Sequence, residues 1–460
     1  MLSPDVKKGI AEIVGVENCS DDDAILYVYG FDVSDVKGKP DLVVRPSSTG
    51  EISKICVICS KNKVPVIPRG GGTGAAGGVV PVTGGIVLDL TRMNKLLEMD
   101  LDNLQVHVQA GILIGDLNDT LEKQGFFFPV TPGSAAMATI GGTVANDASG
   151  LRAFKYGTAK DYLLEATVIL MDGQVVKIGG KPLKNVAGFD LLRLFAGSEG
   201  TLGIMSEMRL KVLPLPISKG VLVAYFDDLE LIGKAVREVY RTGVIPSAME
   251  LLDRSALEAI RAYSPETKVS VKEAMLLLEL EGSEPCVDSQ GNVVMKALES
   301  IGAIGCEFSK DPVKCDDLWE ARSLVGAATS VLEEEYNRVY EGEDICVPLT
   351  EISRTLLKLR ELREKYKLGC VIFGHVSIGS LHPAITLRKS NEKDWTAVKE
   401  MADEIHRWAI EVNGTVTGEH GIGIARKKYL KLQNPEAYEI MKKIKNILDP
   451  GNLMNPGKIF

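Results

Sequence analysis

The 460-residue sequence has no apolar run long enough to cross a bilayer, and its first residues, Met1-Leu-Ser-Pro-Asp-Val-Lys-Lys, lack the apolar core of a secretory signal. Basic residues are short: 53 Lys and Arg against 62 Asp and Glu leave a net charge of −9. That balance argues against a nucleic-acid partner, whose polyanion needs a basic face. Eight cysteines form no Cys-x-x-Cys-x-x-Cys run for an iron–sulfur cluster and no second pair for a zinc site. Only Cys56 and Cys59 lie three apart, and on the helical pattern of 49–62 they read as small core residues. Thiols without a disulfide pattern suit a reducing compartment. We therefore expect a cytoplasmic protein, able to dock at a membrane-bound partner. Internal repeats and low-complexity linkers are missing too. With 45% hydrophobic and 25% charged residues this is an ordinary globular composition, and the length calls for two or three domains.

What is abundant is glycine, and it is clustered. Six of the nine residues from Gly70 to Gly78 are glycine, after an apolar segment (64–67) that reads as a strand. Glycine costs conformational entropy on folding, so a cluster needs a reason. Successive amides in such a loop form a concave nest for an anion, usually a phosphate. The loop lacks the Gly-Lys-Ser/Thr ending of a nucleotide-hydrolysing P-loop, and no helix opens from it as in a Rossmann unit. A plain surface turn is the alternative. A second glycine-rich stretch weakens it: Thr131-Pro132-Gly133-Ser134, then Ile140-Gly141-Gly142-Thr-Val-Ala145-Asn-Asp-Ala-Ser149-Gly150, then Tyr156-Gly157-Thr158. After a strand (163–170) comes Gly197-Ser-Glu199-Gly-Thr-Leu-Gly203-Ile204.

In this order, Pro68-Arg69-Gly70-Gly71-Gly72-Thr73-Gly74, Gly141-Gly142 and 197–204 resemble the FAD-binding domain of the vanillyl-alcohol oxidase superfamily. The resemblance implies that the first loop wraps the FAD pyrophosphate, and that the later segments and Asn455 line the rest of the cofactor. FAD is expected to be non-covalent, since no His or Cys lies in or beside the first loop to tether it. The implied fold is α+β, with a two-lobed FAD-binding domain plus an α/β cap domain built on an open, largely antiparallel sheet. The corresponding boundaries are a helical lead-in (1–40), the FAD domain (41–216, its lobes meeting near 99–103), the cap (217–405, its sheet covered by helices on one face) and a C-terminal segment (406–460) that returns to the FAD domain.

Histidines number only five, and three fall near the C-terminal end: His375, His382 and His420. Residues 371–387 read as a hairpin. If Ile378-Gly379 is a two-residue turn, His375 faces His382, with Cβ atoms about 5 Å apart. That spacing suits one metal ion, although two histidines satisfied on a sheet face would look the same. Gly418-Glu419-His420-Gly421 then places a carboxylate beside an imidazole between glycines. Two His and one Glu make a ligand set with an open fourth position, and a His beside a cation is a good base near neutral pH.

With these motifs the chain resembles the branch of that superfamily containing D-lactate dehydrogenase, the glycolate oxidase catalytic subunit and D-2-hydroxyglutarate dehydrogenase. The resemblance implies that His375, His382 and Glu419 bind a divalent metal (Zn, with Mn or Fe as alternatives) and that His420 is the catalytic base. It implies that Arg322, after Trp319, holds the substrate carboxylate; alone, Arg322 would read as a surface helix charge. Three residues depart from the family pattern between the histidines: Ser377, Ile378 and Ser380 replace Gly, Asp and Asn. The aligned stretch 340–348 carries no cation for a distal carboxylate, which favours a short monocarboxylate.

The implied reaction is FAD-dependent oxidation of a short D-2-hydroxy acid, D-lactate- or glycolate-like, to the 2-oxo acid, by hydride transfer to flavin N5 with metal assistance. Without an iron–sulfur motif, electrons must leave to an external acceptor or a partner redox subunit; a homodimer is compatible. The rival reading is a non-catalytic or electron-relay flavin subunit of a larger complex. A family oxidase acting on sugars or ether-phosphate lipids ranks third, because such relatives lack the paired histidines with Gly-Glu-His-Gly.

Overall fold

A computed structural model describes residues 2–330 and 335–460. The chain forms two compact units, each assembled from more than one stretch of sequence: Met1–Gly150, Gly157–Leu215 and Glu419–Phe460 in the first, Leu151–Tyr156 and Pro216–Gly418 in the second. The class is α+β. Apart from the short excursion Leu151–Tyr156, the first boundary falls within the Pro214-Leu-Pro216 pair, as its rigidity suggests. The second falls at Gly418/Glu419, because helix Glu392–Glu411 and the bridge Cys346↔Thr415 stay with the second unit.

The first unit holds two main sheets and the small antiparallel pair Phe126–Phe127 with Leu213–Pro214. In one, Leu42–Val44, Ile86–Asp89 and Val66–Arg69 pair in parallel, with Cys19–Ser20 added antiparallel at the edge. Helix Thr49–Asn62 provides the crossover; Ser48 caps it by accepting the Glu51 N–H, and Ile52, Ile55, Cys56 and Cys59 form its buried stripe. The two cysteines are thus core residues, and burial pushes the Cys56 thiol up to about 12. The other sheet is antiparallel, in the order Leu96–Asp100, Gln105–Gln109, Ile204–Lys211, Leu163–Ile169, Val175–Gly179. Residues 99–103 are therefore not the meeting of two lobes. They belong to a hairpin within this sheet, closed by the short turn Leu101–Asn103 with Leu104 at φ 55°.

The second unit is a single sheet in the order Ile304–Ser309, Ser218–Phe226, Ala274–Gly282, Ala248–Asp253, Gly369–His375, Ser380–Arg388, Tyr336–Val339, with Ile345–Cys346 also pairing on Ser380–Arg388. Each of these pairings is antiparallel. Helices cover both faces, not one. Glu230–Arg241, Glu284–Ser300, Ile352–Tyr366 and Glu392–Glu411 pack on the face carrying Leu222, Met249 and Leu276. Arg254–Tyr263, Pro312–Ser323 and Val325–Ser330 pack on the face carrying Val223, Leu252 and Leu277. Strand Ala274–Gly282 shows why: it is apolar at consecutive positions, the mark of a strand buried on both sides. The helix expected over 318–335 is two helices, and residues 331–334 lie outside those described.

Candidate active site

In the first unit, strand Val66–Arg69 runs straight into the glycine loop, and its glycines are of two kinds. Some are pressed against protein: a Cβ on Gly70 would fall 2.2 Å from Thr139 Oγ1, and one on Gly71 2.1 Å from the Met137 carbonyl oxygen. Gly72 sits at φ +69°, and Arg69 donates through Nη1 to the Phe31 carbonyl at 2.9 Å. Others face open space: a Cβ on Gly74 or Gly78 would meet nothing closer than 3.9 Å, and Gly133 nothing within 4 Å. Loop amides backed by Thr139 and open on the far side fit a diphosphate.

The later predicted residues gather around the same unit. Gly141 abuts Ala110, where a Cβ would lie 2.7 Å from the Ala110 Cβ, and the Gly142 N–H is capped by Thr139 Oγ1 at 3.2 Å. Gly150, at φ +138°, packs on the Thr131 carbonyl. Gly157 also has positive φ, and Gly203 leads into strand Ile204–Lys211. Ser134, through its carbonyl, accepts from Met137 and Ala138. Tyr156 is grouped differently. It belongs to the second unit, where its hydroxyl donates to Glu281.

Two predicted cofactor residues use their side chains on backbone. Glu199, at φ 52°, receives the Ile422 and Gly423 N–H groups, both at 2.7 Å, and its own N–H donates to the Ala145 carbonyl at 2.8 Å. Burial pushes the Glu199 carboxyl up, against those two N–H bonds. Asn455 donates through Nδ2 to the carbonyls of Gly78 (2.9 Å) and Glu199 (2.8 Å). Together they tie the glycine loop, 197–204 and the Gly-Glu-His-Gly segment to one another. That segment is held further by Asn146, whose Nδ2 donates to the Glu419 carbonyl at 3.0 Å, and by Ser149, whose Oγ donates to Glu419 Oε2 at 3.3 Å. His420 Nε2 lies 3.7 Å from Glu419 Oε1. Glu419 and His420 thus sit beside the segments expected to bind flavin.

In the second unit the two histidines do share a sheet face, but not in the expected register. His382 opposes Phe373, not His375, and the connection is the four-residue turn 376–379 with Gly379 at φ +76°. The shift is by two residues, so each side chain keeps its face, and Val376 and Leu381 enter the core as either turn would place them. The imidazoles still meet, ring centroids 5.1 Å apart and edge to face, because diagonal partners on one face remain within reach. Tyr240 steadies the turn by donating its hydroxyl to the Ser377 carbonyl at 2.9 Å. Ser377 and Ser380, which stand where the family pattern has Gly and Asn, are buried, and among the described residues neither hydroxyl has a hydrogen-bond partner.

Each histidine is backed by a carboxylate that is itself paired with an arginine. Glu250 Oε1 lies 2.7 Å from His375 Nδ1, while Glu250 Oε2 binds Arg322 Nη2 at 2.7 Å and Nε at 2.9 Å. Burial alone would push the Glu250 carboxyl up; His375 and Arg322 outweigh it and hold the carboxyl below the usual range. Glu343 pairs with Arg338, and its Oε1 lies 3.9 Å from His382 Nδ1. Both guanidinium groups stand over Phe373, at 5.1 and 5.5 Å from the ring centroid. Arg322 is therefore no free surface charge: two of its nitrogens are held by Glu250. The remaining histidines stand elsewhere. His107 lies near Glu207, and His406 Nδ1 meets the Ala402 carbonyl within its own helix.

Glu250, Glu343 and Arg338 escaped the sequence reading. The signal was present for Glu250, a charge in the middle of the apolar strand Ala248–Asp253, where only a paired carboxylate is tolerated. Arg338 and Glu343 carry no comparable mark.

Residues 40–179 match the family of FAD binding domains, and residues 215–459 the C-terminal domain of FAD linked oxidases. The chain is 36% identical over 464 residues to the glycolate oxidase subunit GlcD of Bacillus subtilis, covering 100% of this chain and 97% of that one. It is 34% identical to D-lactate dehydrogenases of Anaerostipes hadrus, over 92% of this chain and 90% of that one, and of Archaeoglobus fulgidus, over 91% of each. Among solved structures, 4-ethylphenol oxidase from Gulosibacter chungangensis superposes with a TM-score of 0.82 at 17% identity, covering 99% and 96% of the two chains. An alkyldihydroxyacetonephosphate synthase gives 0.77 at 20% identity, covering 99% and 86%. At those identities the likeness is one of fold.

Proposed function

The chain belongs to the FAD-linked oxidases and is an FAD-dependent oxidoreductase, and on that premise we propose that it oxidises a short D-2-hydroxy acid to the 2-oxo acid. The observation that carries the proposal is the carboxylate-backed pair of imidazoles, His375 and His382, on a sheet face that is otherwise core.

FAD would lie in the loop of Gly70–Gly74 and against Thr131–Gly133, Gly141, Gly142 and Gly150, where glycines leave room for it. His375, His382 and Glu419 would hold a divalent metal: two imidazoles and a carboxylate are a borderline donor set that suits zinc, with manganese or iron as alternatives. When bound, FAD accepts the C2 hydride at N5 and the metal acts as a Lewis acid on the substrate hydroxyl.

The protein's own residues do the rest. Glu250 takes Nδ1 of His375 and so sets Nε2 as its ligating atom. Arg322 offers Nη1 to the substrate carboxylate while Glu250 fixes the plane of its guanidinium. His420 accepts the hydroxyl proton as the C2–H bond breaks and the C=O bond forms. Electrons then pass to an external acceptor or partner subunit. No helix among the described residues is long and apolar enough to cross a membrane.

The test is an anaerobic flavin spectrum titrated with paired D- and L-2-hydroxy acids. Bleaching by a D-acid, lost on chelation, is the expected result. A flavin that ignores every such acid would sink the reading and favour an electron-relay subunit.

A further inference from the structure

Glu343 and Asp344 are consecutive buried carboxylates that serve different partners. Glu343 pairs with Arg338 beside His382. Asp344 is fully buried; its Oδ2 accepts from Thr417 Oγ1 at 2.5 Å and its Oδ1 from the Gly418 N–H at 2.9 Å. It does so at φ 74°, a left-handed conformation that a residue with a side chain adopts at a cost.

The next two residues, Ile345–Cys346, are a minimal strand used on both edges. On one edge Ile345 pairs with Leu381 and Cys346 with Ser380, two residues before His382. On the other, Cys346 and Thr415 exchange N–H···O bonds of 3.1 and 2.7 Å, four residues before Glu419. The Val347 N–H donates to the Gly379 carbonyl at 2.9 Å, inside the turn between the histidines. The fit is tight. A Cβ on Gly414 would lie 2.4 Å from the Cys346 carbonyl oxygen, and one on Gly418 would lie 2.9 Å from both Asp344 Oδ1 and Ser380 Oγ.

We propose that Asp344 is a positioning residue: by gripping the Thr417 hydroxyl and the Gly418 amide, it fixes the peptide from which Glu419 and His420 start. This rests on the reading that Glu419 is a metal ligand and His420 the base. A carboxylate accepts from both donors at once and lends its charge to both bonds; an asparagine keeps only the Gly418 bond and must reverse the other, its Nδ2–H donating into the Thr417 hydroxyl.

The test compares Asp344→Asn and Thr417→Val with the wild-type flavoprotein, reading Zn²⁺ affinity by equilibrium dialysis, FAD content, Tm and kcat. The expected result for Asp344→Asn is full FAD occupancy with metal affinity lowered about 10- to 100-fold, the usual effect of losing an outer support. Thr417→Val, which keeps the grip on Gly418, should fall between. Zn²⁺ affinity in Asp344→Asn within about threefold of wild type would overturn the proposal. Should Asp344→Asn fail to fold, Thr417→Val decides in the same terms: weaker Zn²⁺ binding at unchanged Tm supports the role, unchanged binding overturns it. A wild-type protein that takes up no Zn²⁺ overturns the metal reading instead. The positioning role is then read from kcat: about a tenfold fall at full FAD occupancy supports it, and no fall overturns it.

Discussion

Glu250 Oε1 sits 2.7 Å from His375 Nδ1 while its other oxygen holds Arg322 at 2.7 Å, so one buried carboxylate governs both a candidate ligand and a candidate substrate anchor. The arrangement is costly to desolvate and worthless for stability if one member is lost. Its place on a core-facing strand points to function.

Replacing Glu250 by alanine should therefore cost about 3–5 kcal/mol, since Arg322 would remain buried without its counter-charge. Glu250→Gln should lose less stability yet still weaken metal binding about tenfold. Urea unfolding and metal dialysis on the same two variants check this; equal losses for both would contradict it.

Gly70→Ala and Gly71→Ala should purify with little flavin, because the new methyl would collide with Thr139 Oγ1 or the Met137 carbonyl. Gly133→Ala is the control, with nothing within 4 Å of the added carbon. Flavin-to-protein ratios separate a steric cradle from a flexible turn, in which all three would behave alike.

His420→Ala should keep its FAD while substrate reduction of the flavin slows by roughly 10² to 10⁴-fold, the range for losing a general base. Stopped-flow bleaching within a few-fold of wild type would remove His420 from that role.

Lys458 gives a pH signature. It is buried, donating to the Val80 carbonyl at 2.5 Å and the Pro456 carbonyl at 3.3 Å. Burial pushes its ammonium down to about 8, against the pull of Asp32. An unfolded lysine keeps its proton to about 10.4, so between about pH 8 and 10 the unfolded chain binds more protons and the native state gains. Relative to Lys458→Met, wild type should gain up to about 1.4 kcal/mol per pH unit across that window. A flat difference in denaturation midpoints would rule the shift out.

Much of the site was legible because its signals are local. Glycine clusters mark cofactor loops in one dimension, and Glu419-His420 is a dipeptide. The histidine pair was legible as a pair, but its register was not. The two-residue and four-residue turns differ by a register shift of two, which leaves every side chain on the same face, so the apolar pattern alone does not choose between them. Glu199 and Asn455 looked like cofactor contacts, yet their side chains secure backbone between segments hundreds of residues apart. Such partners are invisible to spacing. The second helical layer was missed because a helix's own periodicity does not say which face of a sheet it will cover.

The first unit is completed from the far end of the chain. Met454 bridges to Val66, the Asn455 N–H donates to the Val66 carbonyl at 2.7 Å, and Lys445 Nζ reaches the Thr201 carbonyl at 2.8 Å. During synthesis, a ribosome that has already produced the glycine loop must still translate the whole second unit before those partners emerge. The nascent first unit thus waits half-built, its sheet edge at Val66 open, while the intervening residues are made. Flavin capture should accordingly come late, and a chain stalled before Lys445 should emerge colourless even with its entire glycine loop intact.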